Sequence, residues 1–475
     1  MLTSLLVCFV LLYKEVEPSI VPGKRAYCTP PTSYDGTCSC ENDVVTCTGQ
    51  TRVPTFSGSI HYKKVSFVKG NFRNITSYVN PFANLQTDEL VLHDMVMLGI
   101  PDHAFLPVKS MLKKLDLSKN YLTALPKALK DLDVLESLDV SDNSIGDKNF
   151  TEDVLRKIGA TLTSLTFGSY DILNWPLTLK HLQMLQNLNL TRAAFQFMPQ
   201  DAFHGFAGTL LTLSLSKTGL KSLPLAVARL NYLQSFNFDQ NTGVGDYGMN
   251  VPLLQGIMNY LTNVSLKQDS LKTFPEALSV FHNLKSVSMD LNMLDFVSDH
   301  AAGSVKQIEN LSMRNSNISR IPQALADITS LKSLDLTDNR IHSIDVQDVQ
   351  ILHSVKEIKL NNNPILYISN HAFDNNGNLE RLELRNTSLK EVPCALKSAI
   401  ENLTRVKHHF PLTVDLSNND IRCTCELKWL AETLSSHKSN ITWDIIGDCE
   451  TIVMSINDYL NSDNLLGCPS SNICN

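Results

Sequence analysis

From residue 112 onward the apolar positions recur in a fixed phrase. It reads Leu112-x-x-Leu115-x-Leu117-x-x-Asn120-x-Leu122, then Leu135-x-x-Leu138-x-Val140-x-x-Asn143-x-Ile145, and continues in that form towards the end of the chain. In the central apolar-x-apolar unit, alternate side chains of an extended segment point to opposite faces. Two residues therefore go inward and the one between them faces solvent. The first inward residues are Leu115, Leu138, Leu165, Leu188, Leu213, Phe236, Val264, Val287, Leu311, Leu334, Ile358, Leu382 and Val414, with weaker copies at Val65 and Leu90. A period of roughly 20 to 29 residues, repeated about fifteen times, predicts a solenoid in which each turn adds one short strand to a curved parallel sheet.

Three further patterns fill in the turn. The Asn at positions 120, 143, 241, 292, 339, 363 and 419 is expected to be buried where the chain leaves the strand, which obliges its amide to bond to neighbouring backbone. Tyr170, Ala193, Thr218, Asp269, Ser316 and Thr387 stand in its place elsewhere, so interrupted, less regular turns are expected there. A hydrophobic-Pro step at Leu125-Pro126, Trp175-Pro176, Leu223-Pro224, Phe274-Pro275 and Ile321-Pro322 predicts the opening of convex-side helical turns, because proline fits the first turn of a helix. The longest turns, 146–161 and 243–260, carry helical apolar spacing at Val154, Leu155, Ile158 and at Leu253, Leu254, Ile257, Met258, and predict true helices.

Composition fits a folded solenoid rather than several globular domains. The 43% of hydrophobic residues supply a continuous core, and the 19% of charged residues a soluble surface, while each repeat packs only on its neighbours. The net charge of -7 gives no global attraction to nucleic acid. Lys24, Arg25, Arg52, Lys63, Lys64, Lys69 and Arg73 outnumber nearby Asp35, Glu41 and Asp43, a mildly basic end that reads as a solvated face or as a polyanion site. Leu2 to Tyr13 has the length of the apolar core of a signal peptide, with cleavage expected between Val16 and Lys24, and is too short to span a bilayer. No later stretch reads as a transmembrane helix.

Apart from Cys8, ten cysteines remain. Cys28, Cys38, Cys40 and Cys47 precede the repeats, Cys423, Cys425, Cys449, Cys468 and Cys474 follow them, and Cys394 lies within the last long turn. Solenoid ends expose core and need caps, which outside the cell are stapled by disulfides. Cys28-x9-Cys38-x-Cys40-x6-Cys47, and Cys423-x-Cys425 followed by Trp429-Leu430 with later Cys449 and Cys468, resemble the paired caps of animal extracellular leucine-rich repeat proteins. Slit, chaoptin, Toll ectodomains, the acid-labile subunit and small proteoglycans belong to that group. The resemblance covers nearly the whole chain beyond its first residues. It implies an α/β, right-handed leucine-rich repeat solenoid, a horseshoe with a parallel concave β-sheet of about fifteen repeats and disulfide-bonded caps at both ends. Residues 1–23 would form a signal peptide, 24–60 the N-terminal cap, 61–420 the repeats and 421–475 the C-terminal cap. The resemblance also implies Cys28 with Cys40, Cys38 with Cys47, Cys423 with Cys449 and Cys425 with Cys468. Cys394 and Cys474 lie outside the minimal pattern, and an even count leaves either a bridge between them or free or intermolecular thiols.

Catalytic signatures are missing. Gly243-x-Gly245-x-x-Gly248 is formally a dinucleotide-binding string, but no βαβ unit surrounds it and it reads as a loop. His408 and His409 have no companion metal ligands. No metal, cofactor or enzymatic activity is expected. Binding is, across the concave face. Its strand-centre residues run Asp116, Asp139, Thr166, Asn189, Ser214, Asn237, Ser265, Ser288, Ser312, Asp335, Lys359, Glu383 and Asp415, with the densest charge late, at Arg314, Lys332, Asp335, Asp338, Lys356, Glu357, Lys359, Glu380, Arg381, Glu383 and Arg385. Mixed charge on adjacent strands is either cross-strand pairing that keeps the sheet soluble or a contact patch for a protein ligand, with Arg314, Asp335, Lys356, Lys359, Arg381, Glu383 and Arg385 as candidates. Acceptor sequences for N-glycans occur at Asn74, Asn149, Asn189, Asn263, Asn310, Asn317, Asn386, Asn402 and Asn440. These readings converge on a secreted recognition glycoprotein that binds an extracellular protein or matrix ligand. The alternative is the ectodomain of a receptor held at a membrane.

Overall fold

A computed structural model describes residues 28–33, 35–248, 257, 259–294, 305–405, 412–436, 443–469 and 474. Residues 1–27, where a signal peptide is expected, His408, His409, Asn440 and most of the second expected helix, with Leu253, Leu254 and Met258, lie outside the described residues.

The molecule is a horseshoe solenoid built on one sheet of eighteen strands. It starts with a hairpin, β1 (Thr37–Glu41) and β2 (Val44–Thr48), the one antiparallel pair in that sheet among the described residues. From β2 every step is parallel. The order runs through β3 (Tyr62–Val68), β4 (Thr87–His93), β5 (Lys114–Asp116), β6 (Ser137–Asp139), β7 (Ser164–Phe167), β8 (Asn187–Leu190) and β9 (Thr212–Leu215). It continues through β10 (Ser235–Asn237), β11 (Asn263–Ser265), β12 (Ser286–Ser288), β13 (Asn310–Ser312) and β14 (Ser333–Asp335). A small side pair, β15 (Ser343–Ile344) with β17 (Tyr367–Ile368), flanks β16 (Glu357–Lys359). The main sheet ends with β18 (Arg381–Glu383), β19 (Leu412–Asp415) and β20 (Trp443–Ile446).

Every first inward residue from Val65 to Val414 pairs with its counterpart one turn on. A one-residue slip would turn the apolar set outward, so burial holds the register. The caps extend the series at both ends, with Val45 opposite Val65 and Ile445 opposite Val414. All five hydrophobic-Pro steps open a convex 3-10 turn of five residues, at Lys127–Asp131, Leu177–His181, Leu225–Arg229, Glu276–Val280 and Gln323–Asp327.

The first long turn holds the expected helix, α1 (Glu152–Ile158), which buries Val154, Leu155 and Ile158. Acidic residues lie in its first turn and basic ones in its last, as the helix dipole favours. Helix α2 (Val346–Val349) is a single capped turn, and α3 (Ala395–Arg405) occupies the last long turn. The C-terminal cap adds α4 (Lys428–Ser436), which buries Trp429, Leu430 and Leu434, and α5 (Ile456–Leu460).

Disulfides join Cys28 to Cys40 and Cys38 to Cys47 at one end, and Cys423 to Cys449 and Cys425 to Cys468 at the other. Cys394 joins Cys474, closing a separation of 80 residues and tying the far end of the chain to the base of α3. Alkylation of the denatured, unreduced protein is expected to label neither Cys394 nor Cys474. Labelling of either, or a dimer that dissociates on reduction, would contradict this bridge.

The Asn ladder is more continuous than its substitutions predict. Asn120 donates from Nδ2 to the carbonyls of Leu92, Leu117 and Ser118 at 2.7–3.0 Å, and its Oδ1 accepts from the Met95 and Met97 amides. Thr218, Ser316 and Thr387 do not interrupt such a chain, because the backbone amide of each donates to Oδ1 of the next Asn, at Asn241, Asn339 and Asn419. Ser316 Oγ also donates to the Met289 and Arg314 carbonyls. A left-handed residue precedes these positions, at Lys217, Asn315 and Asn386, as at Lys119 and Asp142 in regular turns. The expected irregularity is seen at Tyr170, which swings out to 64% exposure, and the left-handed residue is missing before both Tyr170 and Ala193.

Candidate binding surface

Three rows of side chains cover the concave face, two within the strands and a third just beyond their C-terminal ends. Strand alternation places the inward Leu or Val beneath them. At the N-terminal end, Lys64 pairs with Glu89 at 2.5 Å, and Asp116 and Asp139 sit opposite each other on β5 and β6. Burial raises the Asp139 carboxyl above its ordinary range against the hydrogen bonds from Ser141, and the charges of Asp116 and Asp142 push the same way.

The middle holds a trough of about 390 Å³, whose walls are mostly neutral, with Ser235, Asn237, Asn263, Ser265, Ser286 and Asn310 among them, and charged at its far end by Asp335 and Lys359. Charge returns in the third row, where Lys267 meets Asp290 at 3.2 Å. Burial alone would raise the Asp290 carboxyl, but donors from Ser312 and the Arg314 amide, with the Lys267 charge, hold it below the usual range.

All seven candidate contact residues come together at the C-terminal end, on β13 to β18 or one or two residues beyond them. They are laced to one another and to neighbours. Arg314 reaches Asp338 at 3.4 Å and Asp335 at 4.0 Å, and Lys356 pairs with Glu380 at 2.6 Å. Lys359 and Arg381 share Glu357 at 3.4 and 3.7 Å. Arg381 binds Glu383 at 2.7 Å, while Arg385 bridges Glu383 at 3.8 Å and Asp415 at 3.1 Å. Burial pushes the Glu383 carboxyl upward, yet the donors from Arg381 and Asn361 win and keep it below the ordinary value. The same bond raises the Arg381 guanidinium. Cross-strand pairing thus describes these residues in the unbound chain. Arg314, Lys356, Arg381 and Arg385 nevertheless leave 40–49% of their side chains exposed, so a ligand can share their donors.

Sequence reasoning passed over the flank beyond the strand ends. Tyr121, Tyr170, Leu173 and Phe197 are all more than half exposed there, and the Arg192 guanidinium lies 4.9 Å from the centre of the Tyr170 ring while reaching Asp142 at 3.3 Å. The available signal was Tyr170 itself, an aromatic at a ladder position that accepts a small amide. The glycine string has a packing role: a Cβ on Gly248 would fall 2.6 Å from Val244 Cγ1 and 2.9 Å from the Lys221 carbonyl. Among the described residues no three His, Cys, Asp or Glu side chains gather as a metal set.

Residues 86–145, 282–341 and 329–389 match the leucine rich repeat family. These matches and the parallel sheet give the chain a leucine-rich repeat fold with disulfide-stapled ends. It is 27% identical over 207 residues to Toll-like receptor 2 type-2 of Gallus gallus, an alignment covering 43% of this chain and 25% of that receptor. It thus matches about a quarter of the length of that relative. Among solved structures, a chain of the Toll–Spatzle complex of Drosophila shares the fold, with a TM-score of 0.50 and 17% identity over 78% of this chain and 55% of that one. A leucine-rich repeat protein of Leptospira interrogans gives a TM-score of 0.48 and 19% identity over 83% and 93%.

Proposed function

We propose that the chain is a secreted, non-enzymatic recognition protein that holds an extracellular protein ligand against the C-terminal third of its concave face. The observation that carries this reading is the half-exposed charge network from Arg314 to Arg385. It spans four adjacent main-sheet strands and presents three Arg forks, the side chain most enriched where interfaces concentrate their binding energy. The disulfide-stapled caps support an oxidising, extracellular setting.

The test is affinity capture from native fluid with the wild-type chain, followed by the same measurement with Lys359→Glu and Arg385→Glu. Lys359 pairs with Glu357 and stands opposite Glu383, so its reversal also juxtaposes like charges, and the thermal unfolding of each variant is measured alongside to separate lost affinity from lost fold. Each reversal is expected to weaken the captured ligand by about tenfold or more, mostly through faster dissociation. Unchanged affinity for both variants would remove this surface from the reading.

A second reading is an ectodomain held at a membrane, favoured by the receptor relative of which the chain matches a quarter. Among the described residues no helix is long and apolar enough to cross a membrane. Release of the full-length chain into the medium of expressing cells separates the two readings: free release supports the first, and retention at the cell surface the second.

A further inference from the structure

From β7 to β13 the two concave rows carried by the strands hold no charged side chain and no aromatic ring. Protein-binding surfaces concentrate aromatic residues and arginine, and this tract has neither. Its hydroxyls and amides both donate and accept, which matches the hydroxyls of a sugar.

Three of its amides head acceptor sequences, at Asn189, Asn263 and Asn310, and the latter two, Asn263-Val264-Ser265 and Asn310-Leu311-Ser312, line the trough. Both asparagines are exposed, they stand in the same row on β11 and β13, and Ser286 of β12 lies between them. Two strand spacings put them roughly 10 Å apart, on the walls of the trough of about 390 Å³. Among the described residues their Nδ2 groups bond to neighbouring hydroxyls, Thr262 Oγ1 at 2.9 Å and Ser286 Oγ at 3.1 Å. The buried Asn292 is the opposite case, with an amide spent on three backbone carbonyls. Derivatising Asn263 or Asn310 therefore removes no backbone partner from the fold.

We propose that Asn263 and Asn310 are N-glycosylated and that the stems of their glycans lie in the trough, covering the middle of the concave face with carbohydrate. A protein ligand is then confined to the ends and flanks of the arc, and on the charged strands it meets Asp335 and Lys359, which line the far end of the trough, only at the edge of the carbohydrate, while Arg381, Glu383 and Arg385 stay outside the trough. The proposal rests on the extracellular reading, because only a chain in the secretory route meets the glycan transferase.

The test is glycopeptide mapping of the full-length chain made in animal cells, with N263Q and N310Q alongside and enzymatic glycan release compared before and after unfolding. Each variant is expected to lose one glycan. Release from Asn263 and Asn310 is expected to be slower on the folded chain than on the unfolded one. Glycans at other acceptor sites with both of these bare would overturn the proposal and leave the extracellular reading standing. A cytosolic chain with every acceptor bare would overturn both. Occupied sites released equally fast from folded and unfolded chain would show glycans that hang free of the trough, against the proposal.

Discussion

Replacing Asp269 by Asn is expected to stabilise the chain by about 4 kcal/mol at neutral pH, and to abolish a loss of stability that the wild-type chain shows as pH rises from about 4 to 8. Asp269 holds a ladder position and is 1% exposed. Its Oδ1 accepts from the Asn241 amide at 2.8 Å, while its own amide donates to Asn292 Oδ1. Its Oδ2, however, has no partner. In a ladder asparagine that second position is an NH₂ donating to carbonyl oxygens, as Asn292 does towards Leu266, Met289 and Asp290. An ionised carboxylate would put a buried, unpartnered negative charge where a ladder asparagine offers a donor. Burial accordingly pushes the Asp269 carboxyl up to about 8, with the Asp239 charge adding and the Asn241 amide opposing.

The folded chain thus binds this proton more tightly than the unfolded chain does. Below the unfolded value both states are protonated and Asp269 costs nothing. Between the two values the unfolded state gains by ionising, at up to about 1.4 kcal/mol per pH unit, and above the folded value the cost is constant. The amide introduced by D269N has no proton to lose and supplies the missing donor. Unfolding of wild type and D269N across this range should therefore converge at low pH and diverge towards neutrality, with slower amide exchange in β11 of the variant. Parallel pH profiles for the two proteins would rule out a neutral carboxyl at this position.

Fold and register were legible because a period of two inside a period of about 25 leaves one way to bury the apolar set. Val45 and Ile445, which continue the register into the caps, lack the Leu/Asn phrase around them and were hidden for that reason. Helix α3 was hidden too, because its segment reads as a stretched turn before the last strand. The ladder substitutions misled in a more instructive way. Part of what these ladder residues contribute is the backbone amide, which bonds to the next asparagine at Thr218, Ser316 and Thr387 without help from the side chain's own amide group, so those three keep the turn regular. Tyr170 fails because its ring does not fit that space, not because it lacks an amide. At the candidate surface the repeat register gives the strand of each charged residue. It does not say that Arg385 bridges Glu383 and Asp415, or that Lys359 and Arg381 share Glu357, because side-chain reach across rows follows no periodicity.

Asn339 provides the converse experiment, far along the arc from Asp269. Its Nδ2 donates to the carbonyls of Met313, Leu336 and Thr337 at 2.8–3.4 Å, and its Oδ1 accepts from the Ser316 and Ile318 amides at 2.9 and 3.1 Å. Truncation to Ala strands two buried donors and at least one buried acceptor, at about 1–3 kcal/mol for each group left unmatched. Asn339→Ala is therefore expected to cost on the order of 4 kcal/mol at every pH. Asn339→Asp keeps the acceptor and loses only the donor, which a proton can restore. Its cost is expected to be as large at neutral pH and to shrink as the medium is acidified, because the introduced carboxyl would share the environment of Asp269 and bind its proton more tightly when folded than when unfolded. Denaturant unfolding of the two variants at neutral and mildly acidic pH makes the comparison, and it reads on the ligand surface as well. The Ser316 and Ile318 amides that Asn339 holds fix the turn after Arg314, and Asn339 follows Asp338, which pairs with that arginine. A pH-dependent loss of ligand affinity in Asn339→Asp, tracking its stability, would show that this end of the arc binds only with its ladder intact. Equal costs for Ala and Asp at both pH values would mean that the second position of the side chain gains nothing from a proton, and the account given for Asp269 would fall with it.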